Sequence, residues 1–130
     1  MSSEPGKSLL QMIREDGRYP ADAFALVHEA LAMAARREHG DAPPTGPRHV
    51  TGRQLCLALR DLAAERWGPM ARAVLEKWNV HRTVDIGQMV FLMVEKGFMT
   101  KTDEDTLADF NEVFDFTQAF AQAGRFEIKH

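Results

Sequence analysis

The chain has 130 residues, 45% of them hydrophobic and 27% charged, a balance that supports one globular core and argues against disorder along the whole length. Its single cysteine, Cys56, excludes an intramolecular disulfide and so a small scaffold held by staples, and it fits a reducing compartment. A net charge of −3 gives no global attraction for nucleic acid.

Residues 1–7 are polar, lack the apolar stretch of a signal peptide, and read as a disordered N-terminus. Ser8 to Glu15 predicts a short helix whose apolar side is Leu9, Leu10, Met12 and Ile13, ended by Gly17. A second helix is expected from near Pro20, with Asp22 in its first turn. Phe24, Val27, Leu31 and Ala34 recur at helical spacing, and Leu26, Ala30 and Met33 widen the stripe, as in a helix buried on much of its surface. Arg36, Arg37 and His39 suit its last turn. His39 to Arg48, with Gly40, Asp41, Pro43, Pro44, Gly46 and Pro47, is too rich in breakers to be other than a surface loop.

The third helix carries the clearest start signal. Thr51 is a good N-cap, Gln54 completes a capping box, and Val50 and Leu55 flank it as a hydrophobic staple. Leu55, Leu59 and Leu62 run down one face toward Trp67, where Gly68 closes the helix. A fourth helix is expected from Pro69 to Trp78 with Met70, Val74, Leu75 and Trp78 inward, and Asn79 as a left-handed cap. Thr83 reads as the cap of a fifth helix with Ile86, Met89, Val90, Met93 and Val94 buried, ended by Gly97. Its apolar run Met89–Val94 stops at Glu95, well short of the roughly 20 residues of a membrane span, so the chain reads as cytoplasmic with no membrane partner.

Beyond Gly97 the pattern is mixed. Phe98 to Lys101 fits a short strand; Thr102 instead fits the cap of a helix carrying Leu107 and Phe110. Glu112 to Phe116 reads as extended or turn-like, and Thr117 to Phe120 as a last helical turn. From Thr102 to Thr117 there are six acids and no base, so the remainder carries 16 bases against 13 acids, with an arginine-rich centre.

The fourth and fifth helices, followed by two short apolar runs, have the order of a winged helix. Phosphate binding needs Lys or Arg on the recognition helix and wing. Here that helix offers Asp85, Gln88, Glu95 and Lys96, read as exposed, and the wing position is acidic. The acidic block also fails as a calcium loop, since Leu107, Ala108 and Phe114 fall where position 5, the glycine and position 12 belong. The histidines and Cys56 show no zinc spacing. His28 reads as a packed or half-buried helix residue, His49 as a loop residue and Cys56 as a small buried hydrophobe. An enzyme would need His28 or His49 beside a carboxylate or Cys56 in a pocket. Arg53 and Arg60, seven residues apart on one helix, share a face that Arg66, Arg72 and Arg82 extend. Its structural alternative is a solvated face paired with Asp61, Glu65 and Glu76.

Several fragments are distinctive in combination: Arg18-Tyr19-Pro20 with Ala23-Phe24 and Glu29-Ala30-Leu31; Arg48 to Gly52; Trp67 to Ala71 and Leu75 to Trp78; Thr102 to Asp105, Asp109-Phe110 and Phe114 to Phe116. Together they resemble a family of short, uncharacterised bacterial proteins found mainly in planctomycetes and verrucomicrobia, over nearly all of residues 8–120. The resemblance implies a housekeeping-like or lineage-specific bacterial protein and brings no activity, cofactor or catalytic residue.

The expectation is a mostly α, compact domain of five or six helices over residues 8–120, with a small winged-helix-like β-hairpin as an option in the C-terminal third. Residues 121–130 are read as a flexible or partner-bound tail. The expected function is a non-enzymatic protein-interaction or adaptor module, binding a protein partner or itself. Its contact surface is assigned to Arg53, Arg60, Asp103, Glu104, Asp105 and Asp109. A winged-helix nucleic-acid binder is the first alternative and an enzyme the second; no catalytic, cofactor or metal residue is assigned.

Overall fold

The computed structural model describes residues 8–40, 50–97 and 110–120, Thr117 excepted. Among the described residues five α-helices follow in order: α1 (Leu9–Asp16), α2 (Ala21–His39), α3 (Gly52–Trp67), α4 (Ala71–Lys77) and α5 (Thr83–Glu95), with a 3-10 turn at Gly68–Met70 between α3 and α4. No strand occurs among the described residues. Residues 1–7, read above as a disordered N-terminus, the part of the expected loop from Asp41 to His49, the segment from Phe98 to Asp109 and the tail after Phe120 lie outside them.

The ends of the helices follow local chemistry. Ser8 caps α1 by accepting from the Gln11 amide at 3.1 Å, and Gly17 closes it in the left-handed region at φ 76°. At α3, Thr51 accepts from the Gln54 amide at 3.0 Å while the Gln54 side chain accepts from the Thr51 amide at 2.9 Å, the reciprocal box its sequence predicts. Asn79 ends α4 at φ 67°, a conformation its short side chain tolerates. Pro20 stands just outside α2 with extended backbone rather than in its first turn.

The core is formed where α2 lies along α3 and α5 meets both. Phe24, Val27 and Ala30 of α2 face inward with Cys56, Leu59 and Ala63 of α3 and Ile86, Met89 and Met93 of α5. Each large side chain withdrawn from water there contributes roughly 1.5–3 kcal/mol. Ala30, Ala34, Ala58 and Ala63 are all fully buried, and such small residues let helix axes approach closely.

Within residues 110–120, tertiary contacts hold the chain against the bundle. Phe110, Phe116 and Phe120 are buried; Phe110 meets Phe91 edge-on at 5.9 Å, and Phe116 packs between Phe114 and Phe120. Gly87 makes the approach possible, because a Cβ there would stand 2.6 Å from the Phe110 ring. The buried Thr83 hydroxyl donates to the Phe110 carbonyl at 2.6 Å and accepts from the Val113 amide at 3.1 Å.

These contacts correct several expectations. Thr83 is the first residue of α5 and clasps the C-terminal segment; the capping work falls to Asp85, which accepts from the Arg82 amide at 3.0 Å. Asn111 and Glu112 form a turn, with Glu112 at φ 51°, and Val113 and Phe114 bend, in keeping with the turn-like reading, so the strand a wing would need at Val113 to Phe116 is absent. A helical turn follows, as the sequence suggests, with the Ala119 amide bonded to the Asp115 carbonyl at 2.8 Å. Met70 points outward at 58% exposure because the 3-10 turn rotates it off the inward face that Ala71 and Leu75 occupy. Leu10 of α1 is likewise 53% exposed, since burial of Met12 and Ile13 turns it away from the core.

Candidate functional site

Two turns meet at one corner of the bundle: Asp16–Pro20, between α1 and α2, and Trp78–Arg82, between α4 and α5. The Asn79 side-chain amide donates to the Arg18 carbonyl at 3.1 Å and ties them together. Tyr19 is buried, and its hydroxyl reaches Oδ1 of Asp85 at 2.7 Å and Oε1 of Gln88 at 2.8 Å. Asp85 turns its other oxygen to the amides of His81 at 2.8 Å and Arg82 at 3.0 Å, satisfying the positive start of α5. Arg18 binds Asp16 at 3.0 Å and reaches Gln88 at 3.2 Å. Burial, reinforced by the bond to Asp85, raises the Tyr19 hydroxyl well above its ordinary range, so it stays a donor. Asp85 and Gln88, expected on the exposed face of a recognition helix, are therefore half-buried partners of Tyr19 at this corner.

Concave surfaces flank this corner. An open groove of about 500 Å3 runs between α1 and the end of α4, with Leu10, Ile13, Tyr19 and Trp78 among its apolar lining and Arg14, Arg18 and Lys77 as its charged residues. Trp78 is braced by an edge-on contact with Trp67, ring centroids 5.4 Å apart. A second cavity, of about 390 Å3, lies at the start of α5 and is lined by His81, Arg82, Glu112, Asp115 and the stacked Phe114 and Phe116. It mixes both signs of charge. The Thr83 hydroxyl on its wall is already committed to Phe110 and Val113.

The arginine surface is only partly as expected. Arg53 is exposed and ion-pairs with no described residue. Arg60, one face-repeat along α3, bonds Asp61 at 2.9 Å, and Arg37 of α2 reaches the same carboxylate at 3.0 Å. Burial pushes the Asp61 carboxyl upward, but the two guanidinium groups outweigh it and hold the group below its ordinary value. Arg66 pairs with Glu29, and Arg72 with Glu76 at 2.9 Å. These two belong to a solvated, internally neutralised surface. The other half of the assigned contact surface, Asp103, Glu104, Asp105 and Asp109, lies outside the described residues.

The residues an enzyme would need are not brought together among the described residues. His28 is exposed on α2, not packed, because the inward positions are taken by Val27 and Ala30. His49 lies outside the described residues. Cys56 is fully buried, as its apolar neighbours suggest, and burial pushes its thiol up to about 12, the reverse of an activated nucleophile. No group of three or more histidine, cysteine or acidic side chains is placed to hold a metal ion among the described residues. No described helix is long and apolar enough to cross a membrane.

Comparison with protein-family models, with curated proteins and with solved structures gives no match. The Tyr19–Asp85–Gln88 corner and the adjoining groove are what sequence reasoning missed; Arg18-Tyr19-Pro20 stood out only as a fragment of a resemblance, and nothing local signals a partner on α5.

Proposed function

We propose that the chain is a non-enzymatic protein-interaction or adaptor module of the cytoplasm, working through charged surfaces rather than a reaction centre. The observation that supports this most is the charge surplus around Arg53 and Arg60. Arg37 and Arg60 share one carboxylate, Asp61, while Arg53 projects into solvent on the same face of α3. Guanidinium groups in such surplus suit carboxylates of a partner, which they bind in a planar, two-pronged geometry. The acidic segment with Asp103, Glu104, Asp105 and Asp109 has the complementary sign, so the same chemistry also fits a second copy.

Capture from a lysate of the cells that make the protein tests this. Immobilised wild type and the double variant R53E/R60E are compared at equal loading. Loss of specific partners from the variant supports the reading; an identical partner set removes the arginine surface from it.

A further inference from the structure

We infer that the groove between α1 and the end of α4 is a docking site for an acidic segment of a partner protein, one that inserts an apolar side chain between Leu10 and Trp78. This deepens the interaction reading above and rests on it. The first support is the charge layout. The chain as a whole is acidic, with 19 acids against 16 bases, yet among the described residues every charged one lining this groove is a base: Arg14, Arg18 and Lys77. Asp16 neutralises Arg18. Arg14 and Lys77 are exposed and ion-pair with no described residue.

The second support is the apolar wall. Leu10 is one of only two large hydrophobic side chains exposed by half or more among the described residues, and it lies on this groove. Trp78, which lines the same groove, is braced by an edge-on contact with Trp67. The Asn79–Arg18 bond ties together two of the lining residues, so less ordering is left for a ligand to impose. Apolar walls with a one-sign rim are what a charged amphipathic segment recognises, the apolar face entering and the charges meeting the rim. At about 500 Å3 the space takes a few side chains, which fits a short segment held transiently rather than a permanent subunit contact.

The test is a titration of the 15N-labelled full chain with a 14-residue amphipathic peptide of glutamate, leucine and phenylalanine, beside the same peptide with glutamine for glutamate. The expected result is shifts at Leu10, Arg14, Lys77 and Trp78, with the glutamine peptide much weaker and affinity falling as salt screens the rim. R14E/K77E weakens binding by at least about tenfold; both residues are exposed, and an unchanged circular dichroism spectrum confirms the fold. Equal binding of the glutamine peptide, or shifts absent from the groove, overturns the inference. Groove shifts that depend on protein concentration without peptide assign it to a second copy and also overturn it. The broader reading is decided separately: if R53E/R60E loses captured partners while the groove stays silent, only the groove fails.

Discussion

The hydroxyl of Tyr19 lies 2.7 Å from a carboxylate oxygen of Asp85, 66 residues further along the chain. One bond thereby locks the α1–α2 turn to the start of α5, and the same carboxylate caps that helix. Tyr19→Phe keeps the ring and removes only the hydroxyl, so it is expected to lower stability by about 1.5–3 kcal/mol, the usual scale for a hydrogen bond to a charged group. Asp85→Ala, which also strips the cap, should cost more. Urea unfolding of the two variants beside wild type measures both.

Thr83→Val preserves shape but leaves the Phe110 carbonyl and the Val113 amide without their partner. The expected cost is about 1–3 kcal/mol, with faster amide exchange confined to residues 110–116. Thr83→Ser, which keeps the hydroxyl, should retain slow exchange at Val113. Equal exchange in both variants would deny the clasp.

Gly87→Ala sets two effects against each other. Alanine favours a helix interior over glycine by about 1 kcal/mol. The added Cβ, however, stands 2.6 to 2.8 Å from three atoms of Phe110, and overpacking of that kind costs typically 1–3 kcal/mol. The net effect is expected to be destabilising, with Phe110 displaced from Phe91. A raised melting temperature would show that the aromatic segment yields freely.

Cys56 gives a pH dependence whose sign is fixed. Burial raises its thiol from 9.0 to about 12 in the folded chain. Its contribution to stability is therefore fully present below pH 9 and is lost as pH rises toward 12. Cys56→Ala should flatten that alkaline decline. In the native wild type, reaction with a disulfide reagent at pH 8 should be slow until denaturant exposes the thiol.

What the sequence disclosed and what it hid divide by range. Gly17, the Thr51–Gln54 box and Asn79 act on residues no more than a few positions away, so their roles are written locally; Ser8, read as the first residue of α1, is instead its cap. The stripe on α2 was equally plain, because periodicity survives any tertiary arrangement. Thr83 was misread for the opposite reason. It has the chemistry of a cap, but its partner lies 27 residues downstream, and tertiary burial overrode the local preference. Asp85 and Gln88 had the polarity of a solvent face until Tyr19 reached them. The groove was illegible because Leu10 lies on α1 and Trp78 just past the end of α4, both in apolar patterns that spacing alone assigns to the core. Arg53 and Arg60 were rightly placed on one face, but only the fold shows that Arg37 joins Arg60 on Asp61.

The most direct measurement is quantitative capture from the lysate with three baits: wild type, R53E/R60E and R53K/R60K. If the charged surface of α3 recruits a protein, charge reversal abolishes its capture, and the lysine bait keeps part of it because the charge remains while the guanidinium fork is lost. The same partner recovered at the same level on all three baits would contradict an interaction role for this surface.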